Sequence, residues 1–414
     1  MYLFLKTRMA RATAASLAGL MLAGSFGPAA TAVAAPVIDR NQPAPTPNAD
    51  PDPFYTPPAV LPAGDPGDII RARPAKAGPP TARALANAWQ VMYLSTNAVG
   101  ERNTVTGTVL VPKGVNPANA PVVSFAPGTT GPAFRCTVSR FINSGSFYEQ
   151  AAVNEMLKAG YAVAVTDYDG YYENPETSYI VGAAMGPAVL DMARAASRLP
   201  EAGLSATPRV LLRGYSQGGA AVMWAGQLEP TYAPELNLLG VAGGGVPSNL
   251  ASVALGLEGK AAFGFEIAAV IGLDNAYDEL DLENYLFPEA KTVFANSEAN
   301  DCTIELLTGY EGKLSEDYTE PSPFGDAKWL ARVGQNTLGK TPINAPVLQY
   351  HATNDQIVPF GQARSLRNNY CALGMQVDWK LFDTGHITTV ARGNADAMKF
   401  IGDRLSGAPV TSNC

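Results

Sequence analysis

The chain has 414 residues, 47% hydrophobic and 16% charged, with a formal charge of −8 at pH 7 and only two histidines. An acidic chain with no basic run excludes nucleic acid and the anionic membrane surface as natural partners. Its length and apolar content suffice for a sizeable buried core, and no uninterrupted run of spanning length follows residue 34, so no integral membrane segment is expected there.

Residues 1–34 read as an export signal. Lys6, Arg8 and Arg11 precede an apolar stretch from Ala12 to Phe26, and Ala32-Val33-Ala34 is a small-x-small cleavage site. The stretch is broken by Ser16, Gly19 and Gly24 and is short for an uncleaved anchor. Cleavage near Ala34 would remove three positive charges and no acid, leaving a more acidic secreted protein. Residues 35–80 are a proline-rich arm, with 13 prolines between positions 36 and 80. That density rules out helix and central strand. The segment is expected as an extended arm over the body or a loose tail, with Phe54 and Tyr55 as anchors.

A domain at 81–414 is expected to begin near Thr81. Strands are predicted at 88–95 and 105–111 with a turn at Asn103, then at 121–125, 161–166 and 210–213. Helices are predicted at 147–158, 183–198 and from 218 to 226. Strands alternating with helices imply parallel βαβ units and a sheet covered on both faces. From about 246 to 342 the alternation breaks into a mostly helical stretch, read as a cap inserted into one domain. It resumes with strands at 347–351 and 376–382 and helices at 361–373 and from about 391 to 405.

Gly214-Tyr215-Ser216-Gln217-Gly218 is the single Gly-x-Ser-x-Gly of the chain, set between an apolar strand and a helix start. A strand–Ser–helix bend lifts the hydroxyl above the sheet and aims the helix N-terminus at an oxyanion, so Ser216 is the expected nucleophile. Its base is His386, in Asp383-Thr384-Gly385-His386 beyond the last strand; the alternative, His351, ends the preceding strand and reads as structural. The orienting acid is Asp355, with Asp383 as a rival that reads as a turn former and Asp378 inside a strand. The order Ser216, Asp355, His386 is that of α/β hydrolases. Two N–H donors are needed for the oxyanion: Gln217, next to the nucleophile, and a residue of Pro127-Gly128-Thr129-Thr130-Gly131, for which Thr129 is chosen.

The acids of Asp167-Tyr168-Asp169-Gly170 and of 274–281 lack calcium-loop spacing and read as turn or solvated surface. No Gly-rich phosphate loop or Cys-x-x-Cys pair is present, so neither nucleotide, metal nor organic cofactor is implied. Cys136, Cys302, Cys371 and Cys414 in an exported chain predict two disulfides, with three connectivities possible. The apolar run at 253–273 either lines an acyl-chain tunnel or forms the inner core of the cap.

These residues, together with the Asp52-Pro53-Phe54-Tyr55 opening, Asn354-Asp355 and Gly385-His386, make the chain resemble the secretory lipase family, the lipase A-like α/β hydrolases of actinobacteria and fungi. The resemblance implies an α/β-hydrolase fold with an eight-strand-like, mostly parallel sheet under a helical cap that serves as lid and acyl pocket. It implies hydrolysis of carboxylic esters, including triacylglycerols, and disulfides Cys136–Cys302 and Cys371–Cys414. The rival readings are a carboxylesterase for short or soluble esters, an acyltransferase with the same triad, and a non-catalytic binding protein on this fold. Oligomeric state is not legible.

Overall fold

The computed structural model describes residues 51–414. The export signal read at 1–34 and the start of the proline-rich segment lie outside the described residues. Nine strands form one sheet: β1 (Ile69–Ala75), β2 (Ala86–Thr96), β3 (Arg102–Pro112), β4 (Val122–Ala126), β5 (Ala162–Asp169), β6 (Arg209–Tyr215), β7 (Asn237–Gly244), β8 (Val347–Ala352) and β9 (Val377–Phe382). Their spatial order is β1-β2-β3-β5-β4-β6-β7-β8-β9. The pairings from β5 to β9 are all parallel, while β1, β2 and β3 are antiparallel to their neighbours. The helices are α1 (Pro80–Leu85), α2 (Val138–Ser144), α3 (Gln150–Lys158), α4 (Gly182–Arg198), α5 (Gln217–Tyr232), α6 (Leu250–Leu257), α7 (Gly264–Ala276), α8 (Pro288–Asn300), α9 (Thr303–Thr308), α10 (Ala327–Gln335), α11 (Phe360–Ala372), α12 (His386–Arg392) and α13 (Asn394–Ser406).

The central strands are apolar at both parities because both faces are covered. Val122, Ala162, Ala164, Val210 and Leu212 pack in one core with α4 and α5. Val123, Phe125, Val163, Val165 and Leu211 pack in a second core with α2, α3 and Ile401 of α13. The chain leaves β4 for β5 on one side and leaves β6 for β7 on the other. β4 and β6 are neighbours, so their carboxyl ends flank the topological switch point, where an open α/β sheet forms its crevice.

Several expectations are corrected. The sheet begins ahead of Thr81, since β1 belongs to the proline-rich segment; it is an edge strand, where Pro74 costs no ladder bond from a second neighbour. The hairpin turn lies at 97–101 and not at Asn103, which is inside β3. Asn97 makes the turn, its Oδ1 accepting the Val99 and Glu101 N–H groups at 3.1 and 2.8 Å. β7 was not predicted, and the final helix is two, α12 and α13, meeting at Gly393. The sheet has nine strands where the resemblance implied eight. Of the acids around Tyr168, Asp167 is not solvated: it is fully buried and accepts the Ser139 N–H and the Thr106 hydroxyl, both at 2.7 Å.

Phe54 and Tyr55 anchor the early segment. The Tyr55 hydroxyl lies 2.8 Å from Ser139 Oγ and accepts the Gln90 amide at 2.8 Å; Arg73 forks onto Asp52 and stacks 4.2 Å from the Phe54 ring centroid. Between β7 and β8 lie α6 to α10 and several 3-10 turns; among the described residues no strand interrupts them, only an isolated bridge between Leu286 and Thr319. The fully buried Trp329 centres part of this stretch, donating its indole N–H to the Leu280 carbonyl. Among the described residues no helix is long and apolar enough to cross a membrane.

Candidate active site

Ser216 occupies the single residue between β6 and α5, at φ 56° and ψ −119°, a conformation costly for any residue with a Cβ. The bend is held by the Ser216 N–H donating to the Gly244 carbonyl at 2.9 Å and the Ala220 N–H donating to the Ser216 carbonyl at 3.0 Å. Glycine at 218 is a packing necessity: a Cβ there would overlap the Ala126 carbonyl oxygen of β4. The elbow therefore sits against the end of β4, at the switch point.

His386 is the first residue of α12. Its Nε2 lies 2.9 Å from Ser216 Oγ and its Nδ1 2.7 Å from Asp355 Oδ2. The imidazole is fixed from outside as well. The Gln356 amide oxygen accepts the His386 N–H, the Tyr215 hydroxyl donates to the His386 carbonyl at 2.7 Å, and the Tyr215 ring lies 5.0 Å from the imidazole. The Asp355 carboxyl is fully buried. Its Oδ1 accepts the Ile357 and Val358 N–H groups at 3.0 and 2.7 Å. Burial alone would raise this carboxyl, but the hydrogen bond and charge of His386, with His351 and the Val358 N–H, outweigh it and hold Asp355 below its ordinary range.

The rivals are separated by distance and partners. His351 is fully buried, stacked on Trp379, with Nε2 at 3.0 Å from the Val358 carbonyl and 3.5 Å from Asp355 Oδ2. Burial pushes its pKa down, against the Asp355 charge and the Val358 carbonyl. It braces the loop that carries the acid and does not meet Ser216 in any hydrogen bond. Asp383 accepts the Asn354 amide at 2.7 Å, and Asp378 lies in β9 with Lys380 at 3.4 Å.

The loop after β4 has its backbone groups committed one by one. The Pro127 carbonyl accepts from the Tyr168 hydroxyl at 2.7 Å and the Gly128 N–H donates to Glu149 Oε1 at 2.7 Å. The Thr129 and Thr130 carbonyls accept the Thr303 hydroxyl and N–H at 2.6 and 3.0 Å, and the Gly131 carbonyl accepts from Tyr171 at 2.7 Å. Among these N–H groups only that of Gly128 is engaged; Thr129 lines the crevice beside Ser216 and Gln217, and the Gln217 N–H, at the first position of α5, has no intrahelical partner. Glu149, Tyr168, Tyr171 and Thr303 escaped sequence reading because each meets the loop from a distant segment. Burial raises Glu149 to about 7, against the Gly128 N–H and the Arg213 charge.

Ser216, Gln217 and Thr129 open on a cavity whose walls include Leu250, Val253, Leu257, Val270, Leu273 and Val358. The run at 253–273 is divided: Val253, Ala269 and Leu273 line the cavity, while Ile267 and Ala268 face the core. Cys136 is joined to Cys302, tying the loop after β4 to the start of α9, and Cys371 is joined to Cys414. Among the described residues no cluster of three or more His, Cys, Asp or Glu is placed to hold a metal ion.

Comparison with known proteins agrees with this geometry. Residues 139–413 match the family model of the secretory lipases. A secreted triacylglycerol lipase of Malassezia furfur is 30% identical, over 88% of this chain and 77% of that protein. Lipase 10 of Candida albicans is 30% identical, over 88% of this chain and 82% of that one. Among solved structures, Candida antarctica lipase A superposes with a TM-score of 0.80 at 25% identity, covering 88% of this chain and 87% of that one. The chain thus belongs to the secretory lipase family and is a carboxylic ester hydrolase of the α/β-hydrolase fold.

Proposed function

We propose that the protein is a secreted lipase that hydrolyses acyl esters, triacylglycerols among them, through Ser216, His386 and Asp355. The observation that carries the reading is the unbroken relay of 2.7 and 2.9 Å from Asp355 through His386 to Ser216, opening on an apolar cavity. His386 Nε2 takes the Ser216 proton as Oγ attacks the ester carbonyl. Asp355 stabilises the imidazolium, and the Gln217 and Thr129 N–H groups hold the oxyanion. The alcohol leaves with the proton from Nε2, giving an acyl-serine. Water, deprotonated by the same nitrogen, attacks that acyl group and frees the fatty acid. The helical stretch between β7 and β8 acts as cap and acyl pocket. Export follows from the leader at 1–34, in keeping with the relatives named as secreted.

The test is hydrolysis of nitrophenyl esters from acetate to oleate by wild type and Ser216→Ala. The expected outcome is a rate that rises into the long chains and falls by roughly three orders of magnitude or more in the variant. A rate highest on acetate would point to a short-ester carboxylesterase, and equal rates for the two proteins would remove Ser216 as nucleophile.

A further inference from the structure

Three segments of the helical stretch between β7 and β8 meet at a pair of acids that the hydrolytic steps do not use. Glu258 follows the last residue of α6, Glu266 lies in the first turn of α7, and Ser315 opens a 3-10 turn at Ser315–Asp317. Glu266 is 4% exposed, while Glu258 and Ser315 are half-buried. The Ser315 hydroxyl lies 2.5 Å from Glu266 Oε1 and also contacts Glu258 Oε1, and the Ser315 N–H donates to Glu258 Oε2 at 3.1 Å. The two carboxyls are themselves in hydrogen-bonding contact. A serine hydroxyl has one hydrogen, and two carboxylates have none to share. Both oxygens can lie against Ser315 Oγ, and the carboxyls against each other, only when the pair holds a proton. Burial raises Glu266 to about 8, with the Ser315 hydrogen bond opposing and the Glu258 charge adding to the rise.

The other charged side chains on the elements around α7 are engaged elsewhere or stand apart. Glu305 of α9 pairs with Arg135, Asp317 accepts the Leu314 N–H, Lys291 of α8 pairs with Glu283, and Glu298 accepts the Asn275 amide. The acids of 274–283 lie at the far end of α7, and Asp355, on the loop packed against α6, is committed to His386. Lys260, Glu311, Lys313 and Glu316 are exposed, and among the described residues Glu258 is the charge that acts on Glu266. The pair sits at a joint of the cavity wall. Val253 and Leu257 of α6 and Ala269 and Leu273 of α7 line the cavity. Leu257 and Ala262, between the two helices, pack on Ile357 and Val358, whose N–H groups hold Asp355. Beside the acids, the Gly259 N–H donates to the Lys313 carbonyl at 2.9 Å and the Gly312 N–H to the Lys260 carbonyl at 3.3 Å.

We propose that Glu258, Ser315 and Glu266 form a proton-dependent latch, fastened while the carboxyl pair holds a proton and released when that proton is lost, so that the joint between α6, α7 and the segment at 309–318 loosens as pH rises. In the released state the carboxyls face water and return to the ordinary range near pH ~4. The stabilisation is therefore fully present below that range, declines as pH rises, and is gone above the value in the fastened state. Between the two limits each pH unit favours release by up to about tenfold.

The experiment is amide hydrogen exchange of the full chain from pH 5 to pH 8, corrected for the chemical rate at each pH and read on peptides covering 257–263 and 309–318, with β6 as the reference. In wild type the opening of both peptides is expected to rise by at least about tenfold across that range while β6 stays protected. Glu266→Gln, whose amide donates to Glu258 at every pH, is expected to hold both peptides near their pH 5 level. A flat wild-type profile, a rise shared equally by β6, or a rise that Glu266→Gln leaves in place would overturn the proposal. Should Glu266→Gln not fold, Glu258→Gln removes the like charge and is expected to give a shallower rise; a rise as steep as that of wild type would count against the latch. Exchange needs no turnover, so the latch stands or falls apart from the assignment of Ser216, which ester hydrolysis by Ser216→Ala tests.

Discussion

Glu149 shows how a residue remote from the reacting atoms positions them. Its carboxyl holds the Gly128 N–H at 2.7 Å, one residue ahead of the proposed oxyanion donor Thr129. Glu149→Ala is expected to lower kcat by roughly ten- to a hundredfold with little change in KM, because a displaced donor weakens the transition state and not the bound ester. Glu149→Gln, which still offers an acceptor, should recover much of that loss; steady-state kinetics on both variants decides it. Thr129 acts through its backbone, so Thr129→Ala should retain most activity despite losing the 2.8 Å contact between its hydroxyl and Tyr179. The meeting of Ser216, His386 and Asp355, the proposed triad, was legible in the sequence because a single Gly-x-Ser-x-Gly and only two histidines left few candidates. Glu149 escaped the sequence reading, and His351 was legible as a structural histidine but without its partner. Their partners, Gly128 and Val358, become neighbours only when the loops fold against one another.

At the scale of elements, short strands and glycines explain what the sequence concealed. β7 reads Asn-Leu-Leu-Gly-Val-Ala-Gly-Gly, and its glycines lower the strand signal while allowing the elbow and Tyr215 to approach. β1 was hidden by Pro74, which an edge position tolerates. The elbow permits little variation: Gly218→Ala should destabilise the fold by at least about 2 kcal/mol by driving β4 and α5 apart, measurable by denaturant unfolding. The bridge from Cys136 to Cys302 spans 166 residues and that from Cys371 to Cys414 spans 43. Loop entropy sets upper estimates of about 5 and about 4 kcal/mol for their contributions. The first also places Thr303, which orders the carbonyls of 129 and 130. Replacing both cysteines of the first pair by serine should therefore lower Tm and kcat together, whereas the second pair should lower Tm alone.

For the described fold as a whole, buried acids set the pH dependence. Burial raises Glu149 to about 7 and Asp167 and Asp169 to about 6, so the folded chain holds protons that the unfolded chain releases. Their stabilising contribution is fully present below the unfolded carboxylate values near pH ~4 and is lost as pH rises through the folded values. Asp355, held low, acts in the opposite sense: its contribution is present above the unfolded value and is lost as pH falls through the folded one. Unfolding free energy measured by denaturant titration should thus decline from mildly acidic to neutral pH, and Glu149→Gln should flatten the upper part of that decline. An unchanged slope in that variant would assign the dependence to other groups. The tail closes the far edge of the sheet, since the Asn413 side chain pairs with both backbone groups of Trp379 in β9.

The most direct test of the account is peptide mapping after reaction with a fluorophosphonate probe. The expected result is one adduct per chain, on Ser216, formed far more slowly in His386→Ala. An adduct on another serine, or none on folded protein that hydrolyses esters, would contradict the assignment of Ser216 as the nucleophile that His386 activates.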